Sequence, residues 1–275
     1  MTEGVTIGII GGSGLYSLGA PEEELSVETP YGSPSDVIGL LRVGPHRVAF
    51  LPRHGRGHTI PPHQINFRAN LFALSSLGVE RVIGPCAVGS LRPELEPGSV
   101  VICDQFVDRT RGRQDTFVEA PTVAHLSAAD PYCPELRPLA GEAARQAGFR
   151  VTDSGTVVVI QGPRFSTRAE SQWFQKMGAD VIGMTQYPEV VLARELGMCY
   201  VTLAMVTDYD AGLPGRPDVA PVTHEEVIAA FARGRERLIK ALDVLISLVP
   251  DSRSCPCGTL PETMAPTVPS GAEVR

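Results

Sequence analysis

Residues 180–212 read "DVIGMTQYPEVVLARELGMCYVTLAMVTDYDAG", and their pattern decides the fold. An apolar run over Asp180–Met184 gives way to a helical pattern over Pro188–Leu196, which stops at Gly197. A second apolar run, Cys199–Val206, follows at once. Neither run alternates apolar with polar residues, so each predicts a strand buried on both faces.

The same alternation extends outward in both directions. Toward the N-terminus, β-branched runs at Val5–Ile10, Arg47–Leu51, Arg81–Val88, Val100–Val107 and Thr156–Ile160 predict further strands. Helical spacing covers Gln64–Leu77, with Phe67, Leu71 and Leu74 on one face, then Leu136–Ala147 and Arg168–Met177. These helices stop at Gly78, Gly148 and Gly178, a common C-terminal signal. Ser166 with Glu170 offers the third a polar start. Toward the C-terminus, Val227, Phe231, Leu238, Leu242, Leu245 and Val249 form the stripe of one long amphipathic helix. The expected class is α/β, a single domain over residues 1–250 with a mixed central β-sheet flanked by helices. Residues 109–131 and 211–222 read as long loops. Residues 251–275, rich in Pro, Ser, Gly and Thr, read as a mobile C-terminal tail.

Composition narrows the partners. The chain has 275 residues, 43% hydrophobic, enough for one large core. A net charge of −7 argues against a duplex nucleic-acid surface. The apolar runs are too short to span a bilayer, and the N-terminus lacks the features of a signal peptide. A cytoplasmic enzyme of small molecules is the expectation. The six cysteines are scattered and match no zinc spacing. Cys255 and Cys257 read as two free surface thiols, with a redox or disulfide role as the other reading.

Five segments carry chemistry. In "IGIIGGSGLY" a strand enters a glycine turn around Ser13, either a tight structural turn or a cradle for an anion. It fits neither the dinucleotide fingerprint nor the P-loop. In "LPRHGRGHTIPPHQINFRAN", Arg53 and His54 follow a buried strand, where ligands collect in open α/β sheets. Arg53 offers paired hydrogen bonds to a small anion or is a solvated loop charge. His58 and His63 read as packing or surface residues. In "VVVIQGPRFSTRAES", Phe165 is ordinary core or a stacking surface for a flat base. In "DVIGMTQYPEVVLARELG", Thr185 donates to an anion or caps a helix, and Glu189 reads as a helix-dipole partner. In "AMVTDYDAG", Asp208 and Asp210 sit two apart at a strand end. They are turn caps, or a pair for acid–base work and for reading a base; a metal role is disfavoured.

Together and in this order, these blocks, with "AVGSL" and "DQFVDRT", resemble the trimeric class of purine nucleoside phosphorylases that includes the S-methyl-5′-thioadenosine phosphorylases. The resemblance runs from about Gly8 to Pro250. It implies phosphorolysis of S-methyl-5′-thioadenosine to adenine and 5-methylthioribose 1-phosphate, without metal or organic cofactor. Inorganic phosphate would be the co-substrate, with Ser13, Arg53, His54, Ala87 and Thr185 as its ligands. Met184 would lie under the ribose, Phe165 and Ser166 would line the base pocket, and Asp208 and Asp210 would read adenine and protonate it. His224 and Val227 would meet the 5′ group, and His125 would close the pocket of a neighbouring subunit in a homotrimer or a dimer of trimers. Two departures stand out. Cys86 replaces a frequent Thr, and His224 stands where methylthioadenosine-specific relatives tend to carry a small apolar residue. The second keeps open a broader or 6-oxopurine nucleoside phosphorylase.

Overall fold

The computed structural model describes residues 4–12, 15, 18–261, 263, 273 and 274. In chain order the strands are β1 (Ile7–Gly11), β2 (Glu23–Leu25), β3 (Val27–Glu28), β4 (Ile38–Val43), β5 (His46–Pro52), β6 (Arg81–Ile83) and β7 (Cys86–Ser90). They continue with β8 (Val100–Val101), β9 (Gln105–Arg109), β10 (Val151–Thr152), β11 (Thr156–Ile160), β12 (Val181–Gly183), β13 (Cys199–Val201), β14 (Ala204–Asp208) and β15 (Glu273–Val274). The helices are α1 (Phe67–Ser76), α2 (Leu136–Gln146), α3 (Arg168–Lys176), α4 (Gln186–Glu195) and α5 (His224–Leu248).

The class is α/β with mixed sheets, and one domain holds them. One sheet runs β13-β6-β1-β5-β4-β2 and the other β10-β8-β14-β7-β12-β11-β9, while β15 pairs only with β3. β1, β5, β6 and β13 are parallel, and β4 and β2 extend them antiparallel. The β4–β5 hairpin went unread in the sequence, although a Gly-Pro turn at 44–45 divides its two apolar halves.

Three runs expected as single strands are each two. Arg81–Val88 breaks at Gly84-Pro85, Cys199–Val206 at Thr202-Leu203, and Val100–Val107 after Val101. The first two breaks are bends rather than interruptions. Gly84 N still donates to Val201 O (2.8 Å) and Cys86 N to Leu203 O (3.2 Å), so pairing continues around the corner. Pro85 supplies no N–H, and a side chain at Gly84 would collide with the Tyr200 hydroxyl. β6 and β13 belong to one sheet and their continuations β7 and β14 to the other, whereas β8 and β9 lie in the same sheet.

Burial on both faces explains the unbroken apolar runs. Along β1, Ile7 and Ile9 join the cluster that includes Leu136 of α2 and Phe231, Leu238 and Leu245 of α5. Ile10 points the other way, into the cluster with Leu71 and Leu74 of α1 and Val190 of α4. α5 is 25 residues long and opens with a capping box between Thr223 and Glu226.

The chain does not leave the body at residue 251. Ser254 N, Ser254 Oγ and Cys255 N all donate to Glu135 Oε2, at 2.8, 3.0 and 2.9 Å. Arg253 Nη1 donates to Gly197 O (2.7 Å), and Leu260 packs on Gly197. The expected mobile tail therefore does not describe residues 251–261. Their small and polar composition hid the anchor, which needs Glu135, over a hundred residues away.

Candidate active site

The bends open a cleft of about 760 Å³ whose floor is β7: Cys86, Ala87, Val88 and Gly89 all line it. β12 runs antiparallel to β7 and β14 parallel to it, so their C-terminal ends deliver side chains to opposite ends of that floor. Gly183, Met184 and Thr185 arrive at the Cys86 end, and Asp208 and Asp210 at the Gly89 end. A Cβ at Gly89 would lie 2.8 Å from Asp208 Oδ1, so glycine is what lets the carboxylate settle on the strand.

At the Cys86 end the lining includes Gly12, Arg53, His54, Ala87 and Thr185. Ser13 lies outside the described residues. Arg53 is 1% exposed, far from the solvated loop charge that was one of its readings. Its Nε and Nη2 grip the two oxygens of Glu189 (Nη2–Oε2 2.9 Å), and Nη1 donates to Pro85 O (3.0 Å). Glu189, fully buried and also accepting from Tyr200 Oη (2.8 Å), is the counter-ion of Arg53 rather than only a helix-dipole partner. No local pattern reveals this pairing across 136 positions.

His54 is neutral. Burial, then the Arg53 charge, push its pKa down to about 3. Its Nδ1 lies 2.9 Å from Ile60 O, and a carbonyl only accepts, so the proton sits on Nδ1 and Nε2 carries a lone pair. With Arg53 matched by Glu189, this end of the cleft holds directed donors and little net charge. Thr185 occupies the N-cap position of α4 without making a side-chain cap, which leaves its hydroxyl to the cleft. The Cys86 thiol meets Thr202 Oγ1 and Gln186 Nε2, both at 3.5 Å.

At the other end, Asp208 Oδ1 accepts from Asp210 N and Oδ2 from Thr207 Oγ1, both at 2.7 Å. Asp210 is 2% exposed, and its Oδ2 makes no hydrogen bond. Burial raises the pKa of both acids above the usual aspartate value. Ser171, the Ala211 N–H and Ser166 temper the rise at Asp210. Ser166 is not the cap of α3; Thr167 is, in a capping box with Glu170. The Ser166 hydroxyl is buried near Asp210 instead, short of a well-aligned hydrogen bond.

Phe165, Met184, His224 and Val227 line the cleft between these ends and along its mouth. His125 is exposed in its loop and is not brought to the cleft of its own chain. His58, read as packing or surface, lines the cleft; it stacks on His54 at 4.4 Å, and the His224 charge acts on it. Ile228 and Arg235 of α5 were also missed. The apolar stripe drew attention to the buried face of that helix, whereas the cleft uses its first turns.

The chain is similar to known proteins over nearly all of its length. A family profile described as the phosphorylase superfamily matches residues 6–247. A purine nucleoside phosphorylase of Streptomyces coelicolor is 51% identical over 272 residues, covering 95% of this chain and 96% of that protein. An S-methyl-5′-thioadenosine phosphorylase of Thermofilum pendens is 51% identical over 258 residues, covering 93% and 96%. Among solved structures, methylthioadenosine phosphorylase from Schistosoma mansoni in complex with adenine superposes with a TM-score of 0.84 at 37% identity, covering 89% of this chain and 91% of that one.

Proposed function

The chain belongs to the phosphorylase superfamily, and on that premise we propose that it cleaves S-methyl-5′-thioadenosine with phosphate, releasing adenine and 5-methylthioribose 1-phosphate. The observation that carries this is the layout of the cleft floor. Anion donors stand at one end of β7 and two buried acids at the other, with room for a sugar between.

Phosphate binds at Arg53, His54, Ala87 and Thr185, with Ser13 as a further ligand. The bare Nε2 of His54 accepts a hydrogen bond from the P–OH of a phosphate that still carries a proton. Adenine lies against Phe165, with its 6-amino group toward Asp208 and N7 toward Asp210, and Met184 supports the ribose. As the bond from C1′ to N9 breaks, positive charge grows on the sugar and negative charge on the base. The phosphate offsets the first and attacks C1′; a proton from the Asp210 carboxyl to N7 offsets the second. Ser166 positions Asp210. Burial raises the Asp210 pKa, the direction that favours its proton-bearing form. The step needs positioning and electrostatics, with no cofactor or metal ion. The reading places the enzyme in the cytoplasm, as a homotrimer or a dimer of trimers; among the described residues no helix is long and apolar enough to cross a membrane.

One observation favours a second reading, a purine nucleoside phosphorylase of broader or 6-oxopurine specificity. His224, beside Val227, presents a polar group where the 5′ substituent would lie. Phosphate-dependent turnover of methylthioadenosine, adenosine and inosine decides between them through the ratio of kcat/KM values. The primary reading expects methylthioadenosine to lead and inosine to be inert. Equal use of adenosine would assign His224 to a 5′-hydroxyl, and preference for inosine would overturn the assignment of Asp210.

A further inference from the structure

Outside the cleft, the docked tail builds a second chemical centre. Cys255 and Cys257 are not surface thiols: Cys257 is 1% exposed and Cys255 is half-buried. They meet Cys133, just ahead of α2, and Cys199, the first residue of β13, and the four sulfurs lie within 4.8 Å of one another. Tetrahedral zinc with Zn–S bonds near 2.3 Å sets its four sulfurs about 3.8 Å apart along every edge. A set in which every pair is close, rather than two close pairs set apart, matches that shape.

The surroundings suit four thiolates. Leu136 N donates to Cys133 Sγ (3.4 Å) at the N-terminal end of α2, where helix dipoles favour negative charge. Arg194, whose Nε and Nη1 are buried without a hydrogen-bond partner, lies within electrostatic reach of Cys257. A tetrathiolate zinc carries two net negative charges, and these groups offset them. We propose that Cys133, Cys199, Cys255 and Cys257 form a structural zinc site that staples residues 251–261 to α2 and β13. On binding, each thiol releases its proton to solvent and no electron is transferred. Closed four-cysteine coordination leaves no open position, so the role is structural.

Zinc content of the full-length protein, purified without chelator or reductant and dialysed against metal-free buffer, tests this. We expect about one zinc per chain, released by a thiol-blocking mercurial, and X-ray absorption showing four sulfur neighbours at about 2.3 Å. The Cys255→Ser/Cys257→Ser variant should lose the metal and several degrees of Tm while keeping phosphorolysis at ordinary temperature. Zinc-free protein would overturn the proposal, as would iron in its place. Alkylation in denaturant without reductant separates the main competitor. The chain has six cysteines, and all six react if the site held zinc. Reaction of Cys86 and Cys103 alone would show two disulfides and refute the metal site.

Discussion

A carboxyl group buried without its hydrogen bonds is held in an unfavourable state that substrate can relieve. Asp210 is such a group, with one oxygen unpartnered. Its pKa is raised in the folded chain. Between the ordinary aspartate value of about 3.9 and that raised value, the folded chain holds more protons than the unfolded one. The stability this contributes is full below the window and is lost as pH rises through it. Asp210→Asn, neutral at every pH, should therefore raise the urea midpoint at pH 7 more than at pH 4. Turnover of methylthioadenosine should fall by about 10²–10⁴-fold; a stability gain equal at both pH values would contradict the argument. Glu189→Gln acts in the opposite sense. It leaves Arg53 buried with a neutral partner and should cost about 3–5 kcal/mol in chemical denaturation, with a raised KM for phosphate. Arg53, His54 and Thr185 could be proposed as anion ligands from the sequence because they follow strand ends. Glu189 was not legible as their counter-ion, because pairing across two elements leaves no local pattern.

At the scale of elements, the entry of α5 decides where the 5′ pocket lies. Thr223 and Glu226 exchange hydrogen bonds of 3.2 Å around the first turn, which carries His224 and Val227 into the cleft. Thr223→Ala should lower stability by about 0.5–2 kcal/mol. It should raise KM for methylthioadenosine more than KM for phosphate, since only one end of the cleft loosens; equal rises would point to general unfolding. Helices were legible to within a few residues because α1 to α4 each stop at a glycine and α5 carries a long apolar stripe. In α4, Tyr187 has extended backbone angles (φ −105°, ψ 132°), so regular helix begins at Pro188, where the sequence signal put it. Strand ends were less legible. An apolar run keeps its character through a bend, so composition alone does not reveal that Arg81–Val88 serves two sheets; Pro85 was the available sign.

For the whole molecule, the exposed loop bearing His125 and the cleft are separate within one chain, and the proposed trimer is what would join them. Light scattering should give three times the 29.4 kDa chain mass, or six times it for a dimer of trimers. His125→Ala should weaken methylthioadenosine binding without altering that mass. Mixed trimers of His125→Ala and Asp210→Asn chains should regain activity, because a site with its own Asp210 can borrow an intact His125. Failure of mixing to restore turnover would remove His125 from the site. The anchored tail and the cysteine cluster lie at this scale too, and neither was legible, since their parts lie far apart in sequence. The bent floor strand has one more consequence. Ala87 and Gly89 are two residues apart on β7, a span of about 6.6 Å at the usual rise of a strand. A strand does not stretch, so β7 acts as a fixed gauge between the proposed phosphate and the two acids. A nucleoside with a single-ring base, seated on the phosphate, would stop short of Asp208 and Asp210, and the fold itself would reject it before any side chain did.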